Sequence, residues 1–299
     1  MSLTSVATEP IVLGRADWQQ RELEHQERAD ELSRGWRERQ LRGEKHPVDD
    51  FLFTYYPLRA GLLRRWHPGA GVVLADTAGL ERAAWKWYST VGEDSVVDSA
   101  GFVAAKSNSI RFITSLLERT AARAANFGCF GLHEWAMAYD TEDPRHDIPL
   151  RLGRAGTDEV VESNRIGCSH FDAFRFFTPT AVPLNRLAPT RENQPELEQP
   201  GCLHAGMDVY KWAIKLGPLI PGELLLDTFE LSRDIRQLDM RASPYELRDW
   251  GYEPVAIETP DGKAEYVRAQ RVFTERSNAL RARVVAAAKV AVDGLPEFR

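Results

Sequence analysis

Residues 201–240 read GCLHAGMDVYKWAIKLGPLIPGELLLDTFELSRDIRQLDM and contain two consecutive helical patterns, separated by a segment rich in glycine and proline. The apolar positions of the two patterns are Leu203, Met207, Tyr210 and Ile214, then Leu224, Thr228, Leu231, Ile235 and Leu238. Steps of three and four residues place each set on one face of a helix. The stretch therefore predicts two neighbouring helices with apolar faces.

Other segments extend this helical pattern in both directions. The predicted elements are an exposed charged helix over 15–42, a short apolar helix in VDDFLFTYY (48–56), a helix from Thr77 to Ser89, a helix from Ser107 or Ser109 with Ile110, Ile113, Leu117, Ala121 and Ala124 on one face, and a last long helix over 264–292. The charged helix is typical of a surface element held by i,i+4 pairs. The sequence thus predicts a mainly α fold in one domain, 1–299, with an exposed N-terminal helix within 1–45 and a helical core over 46–299.

Several local signals mark turns and helix starts. Ser169-His170-Phe171-Asp172 has the spacing of a capping box and favours a short helix, although alternation also leaves a strand open. A second capping box is expected at Ser243-Pro244-Tyr245-Glu246, and a small β hairpin around Pro260-Asp261-Gly262. Residues 179–200 are rich in Pro, Asn, Gln and Glu, which predicts a long surface loop.

Composition limits the class of protein. The 299 residues are 43% hydrophobic and 27% charged, which is ordinary for a soluble globular chain. No apolar run is long enough for a membrane span, and the N-terminal residues lack a signal-peptide pattern. Three cysteines without a CxxC pair suit reduced thiols. We expect a cytoplasmic protein without a membrane partner.

Charge gives a second limit. A net charge of −6 argues against a dedicated nucleic-acid binder, whose domains are usually basic. Arginines nevertheless concentrate in the first quarter, including Arg59, Arg64 and Arg65. A local basic face therefore stays open.

The stretch from Asn126 to Asp172 contains the side chains best suited to catalysis or metal binding. His133-Glu134, His146 and His170 with Asp172 supply ligand types that suit iron, manganese or zinc. Their spacing matches neither HExxH nor ExxH nor a Cys/His finger, so the ligand set is left open. The alternative is that these side chains cap helices or form buried imidazole–carboxylate pairs.

Two helical patterns offer further candidates. His204 and Asp208 lie one turn apart, so the carboxylate could orient the imidazole as a base. Glu223, Asp227, Glu230 and Asp234 form a line of acids that suits either a divalent cation or a solvated face. Arg233 and Arg236 alternate with these acids and favour the solvated face.

Aromatic residues accompany these polar candidates. Trp135 and Phe174 are the ones placed to stack on a planar ligand, although such residues are more often core. GxSxG, GxGxxG and GxxxxGK[ST] are missing from the sequence, so the common hydrolase, dinucleotide and P-loop classes have no support.

Five segments resemble a bacterial family, mainly actinobacterial, carried under the label 3-methyladenine DNA glycosylase. They are HPVDDFLFTYYPLRAGLLRRWHPG (46–69), FGLHEWAMAYDTEDPRHDIPLRLG (130–153), CSHFDAFRFF (168–177), EQPGCLHAGMDVYKWAIKL (198–216) and DMRASPYEL (239–247). The resemblance covers nearly the whole chain and implies hydrolysis of the N-glycosidic bond of alkylated purines in DNA.

By motif, the chain departs from two known classes of such enzymes. Leu219-Ile220-Pro221-Gly222-Glu223 lacks the second glycine of the helix-hairpin-helix LPGxG loop, and the Cys/His set of the zinc-containing class is not reproduced. No catalytic residue is carried over from either class.

Two function classes follow. In the glycosylase class, Asp172 or Glu134 activates water or stabilises the transition state, and Trp135 and Phe174 stack on the extruded base. Arg59, Arg64 and Arg65 then hold phosphates.

The alternative class is a metal-dependent helical enzyme on a small molecule, with ligands among His133, Glu134, His170 and Asp172. A non-enzymatic binding protein, using the 179–200 loop and the basic corner, is the third possibility.

Overall fold

The computed structural model describes residues 11–293 and is mainly helical. Its α helices are α1 (Arg15–Arg42), α2 (Phe51–Thr54), α3 (Ala60–Leu63), α4 (Ser99–Ala122), α5 (Leu132–Ala136), α6 (Gly153–Ser163), α7 (Phe171–Phe174), α8 (Gln194–Leu197), α9 (Leu203–Leu216), α10 (Gly222–Arg241) and α11 (Pro260–Val292). The strands are β1 (Ile11–Leu13), β2 (Val72–Leu74), β3 (Tyr88–Val91) and β4 (Asp94–Val97). The prediction of a single, mainly α domain with a minor β element is confirmed.

Helix α9 lies at the centre of the helical core. It contacts α4, α10 and α11, and eleven of its 14 residues are buried. Gly206 permits the close packing, because a Cβ there would lie 2.7 Å from Ser277 Oγ on α11 and 2.9 Å from Ile235 Cδ1 on α10. A helix buried on most sides is expected to be apolar, yet α9 carries His204, Asp208 and Lys211.

The small sheet packs against both the N-terminal helix and the helical core, which Val97 of β4 joins. Its strand order is β1-β2-β4-β3, with β1 parallel to β2 and the other neighbours antiparallel. Trp18 of α1 and Trp66 pack with Leu74 of β2 in a separate apolar cluster. The sheet thereby anchors the start of α1.

Several predicted helices are confirmed. The 15–42, 201–216, 222–240 and C-terminal helices form at or near their predicted bounds, and α4 begins earlier than expected because Asp98 accepts a hydrogen bond from Gly101 N at 2.9 Å. Residues 179–200 are mostly irregular, but they include α8 and end in the buried side chains of Glu198 and Gln199.

The predicted helix from Thr77 to Ser89 is wrong. The Thr77 hydroxyl donates to Ser95 Oγ at 2.6 Å instead of capping a helix, and Trp87 has a φ of 70°. Only a 3₁₀ turn at Glu81–Ala84 forms before β3. Sheet pairing outweighs the local helical pattern here.

A predicted hairpin and a predicted helix start are also wrong. Pro260-Asp261-Gly262 is the first turn of α11, where Thr259 Oγ1 accepts from Gly262 N at 3.0 Å, and no hairpin forms. Ser243 does not cap an α helix, because its hydroxyl donates back to Met240 O at 2.6 Å. Proline is favoured at the first position of a helix and is also common in turns, so neither Pro260 nor Pro244 distinguishes a helix start from a turn.

The acid line on α10 faces neighbouring arginines. Asp227 pairs with Arg28 and Arg283, and Asp234 pairs with Arg276. These arginines come from α1 and α11, so the line fastens three helices together. The prediction of a polar face rather than a cation site fits this arrangement.

Among residues 11–293, no helix combines the length and apolar character needed to cross a membrane. Most of the N-terminal segment that lacks a signal-peptide pattern lies outside the described residues.

Gly206→Ala should destabilise the fold, because α10 and α11 leave no room for a methyl group. Overpacking of this kind costs about 1–3 kcal/mol. Gly61→Ala is the control, since a Cβ there meets nothing within 4 Å; it should be neutral or stabilise by less than about 1 kcal/mol. Urea unfolding of both variants measures the difference, and equal stabilities would contradict the packing described for α9.

Candidate functional site

A group of four side chains, termed the inner cluster, lies between three helices. It consists of His133 and Glu134 of α5, His204 of α9 and Asp239 of α10. One nitrogen or oxygen from each lies within 4.8 Å of the others. His133, Glu134 and Asp239 are buried, and His204 is half-buried.

Glycine sets the start of the short helix α5. Gly131 precedes it with a φ of 72°, a left-handed conformation that glycine adopts without strain. All five residues of α5 are buried. This placement forces His133 and Glu134 into the interior.

Arg236 of α10 orients both carboxylates of the inner cluster. Its Nη1 donates to Glu134 Oε1 at 2.9 Å and to Asp239 Oδ2 at 3.1 Å. Each carboxylate thus has one oxygen engaged by Arg236. The other oxygens, Glu134 Oε2 and Asp239 Oδ1, are buried without a hydrogen-bond partner.

The imidazole of His133 completes this arrangement. Its Nε2 lies 2.9 Å from Asp239 Oδ1, but it has no properly directed hydrogen bond. Buried polar atoms nearly always have partners, and such exceptions call for an explanation such as an ion. The free oxygen of Glu134 and the neighbouring His133–Asp239 pair are ligand types that suit a cation.

The electrostatics of the inner cluster are strongly coupled. Burial opposes a charge on His133, but the Asp239 carboxylate outweighs it and raises the pKa of His133 well above its usual value. Burial would likewise raise the pKa of Asp239, yet His133 and His204 hold it below its usual range. Burial, followed by repulsion from His133, lowers the pKa of His204. The Asp239 carboxylate therefore favours a positive charge on His133, whereas a positive charge on His204 is disfavoured.

A second group, the lysine network, adjoins the first. His170 Nε2 lies 3.2 Å from Asp208 Oδ2 and 3.3 Å from Glu198 Oε1. Asp208 also accepts from Lys211 and, at 3.2 Å, from Tyr56 OH. Although burial alone would raise the pKa of Asp208, the positive charge of Lys211 lowers it below its usual range. Asp208 therefore already has a cationic partner, the Lys211 ammonium group.

His204 connects the two groups. Its ring centroid lies 4.4 Å from that of His133 and 5.4 Å from that of His170. Lys211 extends the network toward the surface through Asp172, 2.8 Å away. Asp172 also pairs with Arg175 at 3.2 Å.

A small aromatic cavity, termed the recess, reaches the inner cluster. It has a volume of about 20 Å³, room for one water molecule, and its lining includes Phe51, Tyr55, Arg145, Phe176, Glu134 and His204. Arg236 lies 4.2 Å from the Phe51 ring and Arg145 lies 3.7 Å from the Phe176 ring. The recess therefore combines flat apolar walls with guanidinium groups.

A larger groove lies outside the recess. It has a volume of about 660 Å³, which is the size of small-molecule sites, and it is lined by residues that include Lys45, His46, Asp50, His146, Asp147 and Trp250. Phe51 and His146 line both the groove and the recess. A ligand in the groove would reach the inner cluster past these two side chains.

The structure brings together five of the predicted site residues and leaves the others apart. His133, Glu134, His170, His204 and Asp208 lie in the two adjoining groups, with Asp172 at their edge.

Trp135 is fully buried and donates to Ala242 O at 2.8 Å, and Phe174 packs on Phe177. Neither is among the residues lining the recess.

The basic corner is directed elsewhere. Arg59, Arg64 and Arg65 are exposed, Arg64 pairs with Asp30 at 2.9 Å, and Arg65 lies 4.6 Å from the Trp85 ring. None of the three lines the recess or the groove.

Several members of the site were not predicted from the sequence. Asp239, Glu198 and Lys211 were not identified as candidates, and Arg236 was assigned to the exposed face although it is 2% exposed. The sequence of α10 does contain one relevant pattern. Arg236 and Asp239 lie about one turn apart, so they share a helix face, and Arg236 follows the last residue of the acid line, Asp234, by two residues. His146 does not join the His133 group but lines the recess.

Comparisons of the chain with protein-family models, with curated proteins and with solved structures give no match. The assignment of function therefore depends on the residues of the site and on the resemblance described above.

Arg236→Met should be strongly destabilising, because it leaves Glu134 and Asp239 buried without their cation. Removing one partner of a buried ion pair costs about 3–5 kcal/mol. Arg276→Met is the matched control, since Arg276 and Asp234 form a partly exposed pair worth less than about 1 kcal/mol. Thermal or urea unfolding compares them, and a cost for Arg236→Met no larger than that of the control would contradict this role.

Proposed function

We propose that the protein is a metal-dependent enzyme, with the metal held by His133, Glu134, His204 and Asp239. The observation that carries the proposal is a buried group of ligand atoms within 4.8 Å of one another, in which Glu134 Oε2 has no partner and His133 Nε2 and Asp239 Oδ1 pair with each other at 2.9 Å. Imidazole and carboxylate ligands suit manganese or iron(II). The carboxylates of the lysine network do not share this feature, because Lys211 donates to Asp208 and Gln194 donates to Glu198.

Arg236 acts in this proposal as the partner that orients the ligands. Residues of this kind fix the direction of a carboxylate and are needed for metal affinity. By engaging Glu134 Oε1 and Asp239 Oδ2, Arg236 leaves one oxygen of each carboxylate for the metal.

The recess gives the metal access to a reactant. Glu134 and His204 line it, and its volume accommodates a water molecule. Metal-bound water is a potent nucleophile near neutral pH. We therefore favour hydrolysis as the reaction class.

The walls of the recess indicate the substrate class. Phe51 lines both the recess and the groove and suits stacking on a planar group, and Arg145 of the recess suits an anionic one. No ion pair engages Arg145 among residues 11–293. The substrate is proposed to be a small planar molecule with an anionic group, bound first in the groove.

The metal part of the proposal predicts one Mn²⁺ bound per chain. Asp239→Asn removes a ligand oxygen and should weaken Mn²⁺ binding by at least about 100-fold. Substitution of a residue that only orients a ligand typically has a smaller effect. Asp208→Asn, the same change in the lysine network, should retain the site, and Glu198→Gln is a second control. Titration followed by electron paramagnetic resonance measures this. An equal loss of Mn²⁺ affinity in Asp239→Asn and in both controls would refute the metal site, and so would the absence of Mn²⁺ binding to the native chain.

N-glycosidic hydrolysis of alkylated purines is the second candidate. The observation that favours it is the placement of Asp172 and Glu134 on the aromatic recess, at the end of a groove that has the volume for a flipped base. In this mechanism one carboxylate activates water or stabilises the transition state, and DNA is the partner.

The glycosylase candidate predicts release of the modified base from alkylated DNA without added metal. Asp172→Asn should abolish that release if Asp172 is the essential carboxylate, whereas Asp234→Asn, on the outer face of α10, should not affect it. Chromatography of released bases provides the measurement. Undiminished release by Asp172→Asn would remove this assignment, and release that depends on Mn²⁺ and Asp239 would transfer the activity to the inner cluster.

A further inference from the structure

Two arginines, termed the arginine pair, lie against one aromatic ring of the recess. The guanidinium carbon of Arg145 is 3.7 Å from the centroid of the Phe176 ring, and that of Arg175 is 4.1 Å from it. Arg145 belongs to the segment between α5 and α6, whereas Arg175 and Phe176 follow α7. Separate parts of the chain therefore bring two positive charges together on a ring that lines the recess.

The guanidinium group of Arg145 is free to bind a ligand. Its contact within the described chain is with the Phe176 ring, and among residues 11–293 no acceptor atom engages its N–H groups. Two positive charges held close together repel each other unless an anion lies beside them. An anion bound at the arginine pair would therefore remove an unfavourable interaction and also accept the free N–H groups.

Arg175 is held in place but is only partly neutralised. Its Nε lies 3.2 Å from Asp172 Oδ1, and its Nη2 donates to Tyr55 OH at 3.3 Å. The other oxygen of Asp172 accepts from Lys211 at 2.8 Å. Because Asp172 shares its charge between two cations, it orients Arg175 without cancelling the positive charge of the arginine pair.

A stack of two aromatic rings connects the arginine pair with the groove. The rings of Phe51 and Tyr55 have centroids 4.8 Å apart and planes inclined by 13°. Tyr55 contacts Arg175, whereas Phe51 lines both the recess and the groove. A planar group that packs on Phe51 in the groove would therefore have the arginine pair close by.

We propose that Arg145 and Arg175 bind a phosphate group, and that the substrate is a phosphate monoester carrying a planar ring. A guanidinium group donates two parallel hydrogen bonds to phosphate oxygens, and two guanidinium groups match the double charge of a phosphate monoester better than the single charge of a carboxylate. The assignment of this phosphate to the substrate rests on the proposed function. The phosphate site itself does not require the metal, and binding neither forms nor breaks a covalent bond.

Phenyl phosphate is the probe, and the metal-free full chain is the sample. Isothermal titration calorimetry at a pH well above about 6, where a phosphate monoester is a dianion, should show one phenyl phosphate bound per chain. Benzoate, which has the same ring and a single charge, should bind at least about tenfold more weakly, because it forms fewer charged hydrogen bonds. Equal affinities for the two anions, or no binding of phenyl phosphate, would overturn the proposal.

Substitutions locate the phosphate. Arg145→Gln and Arg175→Gln should each weaken phenyl phosphate binding by about tenfold or more, because each removes hydrogen bonds to a charged group. Both side chains are exposed, so both variants should fold. Arg59→Gln is the matched control, since Arg59 is an exposed arginine that lines neither the recess nor the groove. Undiminished affinity in either recess variant, or an equal loss in the control, would refute the site.

Separate titrations of the native chain distinguish this proposal from the proposed function. Phenyl phosphate binding without Mn²⁺ binding would leave the phosphate site in place and refute only the metal site. Arg145→Gln should retain Mn²⁺ binding, because Arg145 is not a ligand of the inner cluster. A DNA oligonucleotide that displaces phenyl phosphate at a lower phosphate concentration than inorganic phosphate does would overturn the assignment to a small molecule.

Discussion

The buried contact of Arg236 with Glu134 and Asp239 is the interaction on which the site depends. Two carboxylates cannot stay ionised in the interior without a nearby positive charge. Arg236 supplies that charge from the same helix as Asp239, and it engages only one oxygen of each carboxylate. The helical core thereby positions two oxygens and a histidine nitrogen around a point that attracts a cation.

The fold supplies the surroundings that this arrangement needs. Helix α9 is packed on most sides, so His204, Asp208 and Lys211 must find partners inside the protein. The partners of His204 come from α5 and α10, and those of Asp208 and Lys211 come from the start of α7 and from Tyr56 after α2, so that two adjoining groups with different chemistry form. Lys211 donates to Asp208 in the lysine network and Gln194 donates to Glu198, whereas Glu134 Oε2 of the inner cluster has no partner. This contrast explains why only one of the two groups is proposed to hold a metal.

Sequence alone predicted the helices whose apolar residues repeat over several turns, such as 203–216 and 222–240. It failed where sheet pairing or a short turn decided the outcome, as at Thr77 and Pro260. His133, Glu134, His170, His204 and Asp208 were found because their residue types are chemically informative. Arg236 and Asp239 were missed because their orientation depends on how α10 packs, which no local pattern contains.

The most direct test of the central claim is an anomalous diffraction map from a crystal soaked with Mn²⁺, collected near the manganese absorption edge. The account predicts a peak between His133 Nε2, Glu134 Oε2, Asp239 Oδ1 and the His204 ring. A map without a peak there, or with its main peak between Asp208 and Glu198, would contradict it.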